Sequence, residues 1–122
     1  MKAIVGVESW ETMQARALDL ARRIDVGDAV AEAEYRLNFA DPAQLFRNLT
    51  PARLALLERL KTLGPMSIRA LAGHLARNDR NVQADVGKLL ELGLVEKNAA
   101  GQVQVPWEEI QIQVTLGGAK AA

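Results

Sequence analysis

Arg80, Asn81, Gln83 and Lys88 are hydrogen-bonding side chains interleaved with the apolar Val82, Val86 and Leu89. If the apolar three turn inward, the opposite face of the helix presents Arg80, Asn81, Gln83, Ala84, Gly87 and Lys88. Arginine donates two hydrogen bonds to guanine, and Asn or Gln pairs in bidentate fashion with adenine. Ala84 and Gly87 add little bulk, which lets a helix sit deep in a groove about 12 Å wide. The chemistry implied is recognition of base edges in double-stranded DNA. Asp85 breaks the pattern, because a carboxylate near phosphates is unfavourable unless it caps, pairs with Arg or Lys, or accepts from cytosine.

Phosphate contacts are expected from Ser67 and Arg69, where a helix start offers free backbone N–H groups. Arg77, in the turn before the base-reading helix, joins them, as do Lys97, Asn98 and Gln102 on a following hairpin. Other chemistry finds little support. His74 is the single histidine and there is no cysteine, so a metal site has no ligand set. No carboxylate pair sits in an apolar setting, and neither a glycine-rich phosphate loop nor a nucleophile elbow is present. The expectation is a protein that is not an enzyme and needs no cofactor. Trp10, Tyr35, Phe39 and Trp107 do not interleave with basic residues, which argues against stacking on single-stranded bases.

The elements that must position these side chains are marked by their caps. Thr50 opens a helix with Pro51 just inside, Leu54, Leu57, Leu60 and Leu63 as its buried face, and Gly64-Pro65 at its close. Ser67 caps a second helix with Ile68, Leu71, Ala72 and Leu75 inward, and Asn78 or Asp79 caps the third, which Gly93 stops. Two strands follow, near Leu94–Lys97 and Gln102–Val105, joined by Asn98-Ala99-Ala100-Gly101. Upstream, Ser9 caps a helix with the stripe Trp10, Met13, Ala17, Leu20, Ala21 and Ile24, and Gly27 is its expected C-terminal cap. Ala33, Tyr35, Leu37 and Phe39 alternate with polar residues as a strand, which is preferred over a helix through Ala29–Leu37 because turn-formers bracket it. Asp41 and Pro42 open a short helix to about Asn48. Ile110, Ile112, Val114 and Leu116 alternate with Gln111, Gln113 and Thr115 as a last strand, and 117–122 reads as a frayed end.

The chain has 122 residues, 49% apolar and 25% charged, as expected of an ordinary folded protein. Met1 to Val7 is too short an apolar run for a signal peptide, and no stretch approaches a membrane span, so a cytoplasmic protein without membrane partners is expected. Net charge is zero, yet from Thr50 to Asn98 eight basic residues face five acidic ones. The positive excess coincides with the expected DNA-reading helices. It is small enough that a dimer is needed to gather phosphate contacts.

Residues 50–105 resemble the MarR-like winged-helix regulators, on the strength of Leu71-Ala72, Asn81-Val82 and Leu90-Glu91-Leu92-Gly93-Leu94-Val95. The whole chain resembles short regulators of this kind that are often read as antitoxins. The resemblance implies an α+β protein: a winged helix-turn-helix of three helices plus a β-hairpin wing at 50–105, an N-terminal helix–strand arm at 1–49, and a C-terminal strand and tail at 106–122. It also implies a repressor that acts as a homodimer, with each third helix in the major groove of half-sites one turn apart. Trp10, Met13, Ala17, Leu20, Ile110, Ile112 and Val114 are the expected dimer or partner contacts. The alternative is an antitoxin that grips a cognate toxin and represses its own operon. A winged helix that touches only protein is a third reading, distinguished by the absence of salt-dependent DNA affinity.

Overall fold

The computed structural model describes residues 1–8, 10–25 and 34–116, with the backbone alone at residues 10, 12, 13, 24 and 25. In chain order the elements are β1 (Ala3–Val7), α1 (Trp10–Asp25), β2 (Tyr35–Phe39), α2 (Pro42–Asn48), α3 (Pro51–Leu63), α4 (Ile68–Leu75), α5 (Asp79–Glu91), β3 (Glu96–Lys97), β4 (Val103–Gln104) and β5 (Ile110–Gln113). The protein is α+β and divides into two compact units, Met1–Leu45 with Glu108–Ala122, and Phe46–Trp107. No described helix is long and apolar enough to cross a membrane.

The first unit is a three-stranded, wholly parallel sheet in the order β2-β1-β5. Its centre is Ala3-Ile4-Val5-Gly6-Val7, an apolar run without alternation, as a strand buried on both faces requires. Ala3 and Val5 are fully buried and Ile4 nearly so. Sequence reasoning used this run only to dismiss a signal peptide and missed the strand. It also set 106–122 apart from 1–49, whereas β5 returns to pair with β1 in the register Ala3↔Ile110. Strand β2 lies within the expected strand and excludes a helix over 35–37; β5 stops at Gln113, short of the expected Leu116.

Helix α1 follows β1, and its Arg16 forms an ion pair with Glu8. Its expected inward stripe is not buried where it is described: Ala17 and Ala21 are exposed, and Leu20 is 43% exposed. The Ser9 and Gly27 caps, residues 29–33, the tail 117–122, and the side chains of Trp10, Met13 and Ile24 lie outside the described residues.

In the second unit local chemistry sets the helix boundaries. Thr50 Oγ1 accepts from the Arg53 amide at 3.2 Å, Ser67 Oγ from Ala70 at 3.1 Å, and Asn78 Oδ1 from Arg80 at 2.8 Å. Asp41 does the same for α2 through the Gln44 amide at 2.8 Å. The helices bury Leu56, Leu57 and Leu60 of α3, Leu71 and Ala72 of α4, and Val82, Val86 and Leu89 of α5. On α3 the expected face was drawn through every third residue. Three residues turn only 300°, so that row winds around the helix, and Leu63 ends exposed while Leu56 is buried.

At the end of α5, Gly93 takes φ 78°, and the Leu94 amide donates to Leu89 O at 3.1 Å. That closure drives Leu94 into the core, fully buried beside Val95. Strands β3 and β4 form an antiparallel hairpin, Glu96 opposite Gln104. Met66, in the α3–α4 connection, adds a bridge to Val103 through two backbone hydrogen bonds of 2.9 and 3.2 Å. That bridge was not foreseen, because a single bridging residue leaves no alternating pattern.

Candidate nucleic-acid interface

Helix α5 is held by one side and leaves the other to solvent. Val82, Val86 and Leu89 have no exposed surface, while Arg80, Asn81, Gln83 and Ala84 are all exposed. Arg77, Asn78, Asp79, Arg80 and Asn81 line an open, polar concavity at its N-terminal end. The Asn78 cap there leaves the first turn well formed, so Arg80 and Asn81 project from a fixed backbone. Lys88 is half-exposed and lies 3.6 Å from Glu91 on the same helix, a pair that solvent keeps weak.

The connection between α4 and α5 is tight. Ala76 adopts the left-handed conformation at φ 55°, and the Arg77 amide donates to Ala72 O at 3.0 Å. This turn places Arg77 beside α5, where its Nη2 donates to Asp85 Oδ2 at 2.7 Å. From α3, Arg53 Nε donates to Asp85 Oδ1 at 2.9 Å, and Arg53 Nη1 donates to Asn48 O at 2.9 Å. Both Asp85 oxygens are therefore taken, each by a guanidinium from a different element. Burial pushes the Asp85 carboxyl up, but the hydrogen bonds from Arg53 and Arg77, and their charges, outweigh it and leave the pKa below the ordinary aspartate value.

Asp85 thus pairs with arginine, one of the three conditions under which a carboxylate is tolerated beside DNA. The same contact engages Arg77, expected on a phosphate: its guanidinium is bonded to Asp85 while the residue also lines the concavity, and its Nη1 is buried without a hydrogen bond among the described residues.

The hairpin residues divide in a similar way. Asn98 Oδ1 accepts from the amides of Ala100 at 2.9 Å and Gln102 at 3.0 Å, and its Nδ2 donates to Gln102 Oε1 at 3.2 Å. Asn98 and Gln102 build the hairpin loop; they were expected on phosphates. Lys97 is exposed, as are Ser67 and Arg69 at the start of α4, although Ser67 Oγ already serves as a cap. His74 is exposed on the last turn of α4. The residue that sequence reasoning missed is Arg53. Its partner lies 32 positions away, and no local pattern connects the two.

The interface candidates lie in the other unit. Ile110 is half-buried and Ile112 is 39% exposed, on a strand at the sheet's edge, and Val114, just beyond that strand, is half-buried.

Residues 48–112 match the profile of the family described as HVO_A0114. The match covers more than half of the chain and takes in α3, α4, α5, the hairpin and most of β5; the protein belongs to this family. No curated protein and no solved structure matches the chain.

Proposed function

We propose that this protein is a double-stranded DNA-binding regulator of the winged helix-turn-helix kind, acting as a homodimer with α5 of each copy in a major groove. The observation that carries this reading is the outer face of α5. Arg80, Asn81 and Gln83 stand exposed on a capped helix with the small Ala84 among them, and Val82, Val86 and Leu89 anchor the opposite side. Side chains with that donor and acceptor inventory, fixed on one rigid face, suit bidentate contacts to guanine and adenine.

Charge supports it. Within Phe46–Trp107 nine basic residues face five acidic ones, and Asp85, at the border of the face, is neutralised by two guanidiniums. Arg69 and Lys97, with the N–H groups at the start of α4, are the groups left to meet phosphates. With so few cations per copy, tight binding requires two copies on one duplex.

Fluorescence anisotropy with a duplex selected from a random pool tests the proposal. Wild type should bind with an affinity that falls steeply with salt, and Arg80→Ala should lose about 1–3 kcal/mol and relax one base preference. Duplex affinity that ignores salt, or an Arg80→Ala protein that binds like wild type, overturns it.

A further inference from the structure

Strand β5 lies at the edge of the sheet, beside β1. Among the described residues it is bonded on one side only, to β1. The Ala3 amide donates to Glu109 O at 3.1 Å while Ala3 stands opposite Ile110. In a parallel ladder the residues flanking a partner carry the inward bonds, so the N–H and C=O groups of Ile110 and Ile112 point away from the sheet. Among the described residues they form a row of unpaired groups on the open edge.

The two edges of this sheet differ in protection. β2 carries Arg36, which pairs with Glu34 at 3.2 Å, and charge of that kind blunts an edge. From Ile110 to Leu116 the chain reads Ile-Gln-Ile-Gln-Val-Thr-Leu, with no charge, proline or glycine. Ile112 is 39% exposed and Leu116 is 78% exposed, so apolar surface accompanies the free backbone groups.

From these observations we infer that two copies join edge to edge through antiparallel β5 strands into a continuous six-stranded sheet. The interface is its own complement. A two-fold axis normal to the sheet sets Ile112 opposite its own counterpart or Ile110, and glutamine against glutamine, so no charge is left unpaired. Within Ile110–Leu116 there is no charge for a charged partner to recognise; the nearest, on Glu109, accepts from Gln111 Nε2 at 2.6 Å. The inference gives the dimer of the proposed regulator a specific interface, and to that extent it rests on that reading; the pairing itself is measurable without DNA.

Sedimentation velocity on the full chain, across the micromolar range, should show a concentration-dependent dimer. Ile112→Lys, which sets a charge into the pairing, should raise the dissociation constant at least about tenfold. Arg36→Gln on the opposite edge should leave it unchanged. Hydrogen exchange on the wild type covers the case in which Ile112→Lys fails to fold: the Ile110 and Ile112 amides should gain protection as the dimer fills. A wild-type monomer throughout that range, or a dimer with both amides unprotected, overturns the pairing, and a dimer built on another protein's strand in place of its own copy does so too. A monomer that binds duplex in a salt-dependent way sinks the edge pairing alone, whereas a β5-paired dimer without DNA affinity sinks the proposed function alone.

Discussion

The two units dispose of their apolar residues in opposite ways. Of seventeen buried apolar residues described, twelve belong to Phe46–Trp107, and that unit leaves only Phe46 and Leu63 as large exposed hydrophobics. The sheet unit buries five and exposes Met1, Leu18, Leu20, Ile112 and Leu116. Charge divides as well: nine basic to five acidic residues in the helical unit, six to ten in the other. A wholly parallel sheet is normally covered on both faces. Among the described residues of the sheet unit one helix, α1, is long enough to cover a face, and it leaves Leu18 66% exposed. The contrast teaches that the helical unit turns nearly all its large apolar side chains inward, whereas the sheet unit leaves several exposed among its described residues.

The sharpest way to break this contrast is to shorten one leucine in each unit. Leu89→Ala removes a fully buried side chain and should cost about 2–5 kcal/mol in urea unfolding. Leu20→Ala should stay within about 0.5 kcal/mol. Equal losses would erase the distinction.

A smaller effect is expected at Asp85. Asp85→Asn, which keeps the shape but removes the charge between two guanidiniums, should cost about 1–3 kcal/mol. The carboxyl's pKa lies below its unfolded value, so its contribution is present above about pH 4 and is lost as pH falls through the folded value. The gap in stability between wild type and Asp85→Asn should therefore hold at neutral pH and close in acid. A gap that widens in acid would show that the carboxyl is not held by Arg53 and Arg77.

The smallest change is a gain. Ala76 pays for a left-handed backbone at φ 55°, and Ala76→Gly should stabilise the helical unit by about 0.5–1 kcal/mol, read as a raised melting temperature.

How much of this was legible depended on distance along the chain. Thr50, Ser67 and Asn78 announce their helices because a cap acts within three residues of itself, and Gly93 announces a stop for the same reason. The face of α5 followed from the spacing of Val82, Val86 and Leu89. β1 was missed although its signal, an uninterrupted apolar run of five, was in view; such a run has no alternation to separate strand from helix. The Arg53–Asp85–Arg77 contact joins three elements, and only the fold brings them together. Asn98 and Gln102 were assigned outward because polar loop residues look alike in sequence whether they bond to a partner or to their own turn.

The central strand of the sheet, β1, is made before the helical unit, and one of its neighbours, β5, comes after all of that unit. During synthesis α3, α4, α5 and the hairpin can therefore reach their native packing while β1 still lacks a flank. Removing the chain beyond Trp107 would spare the helical unit and expose the strand from Ala3 to Val7 along one side, turning a sheltered segment into a site for aggregation.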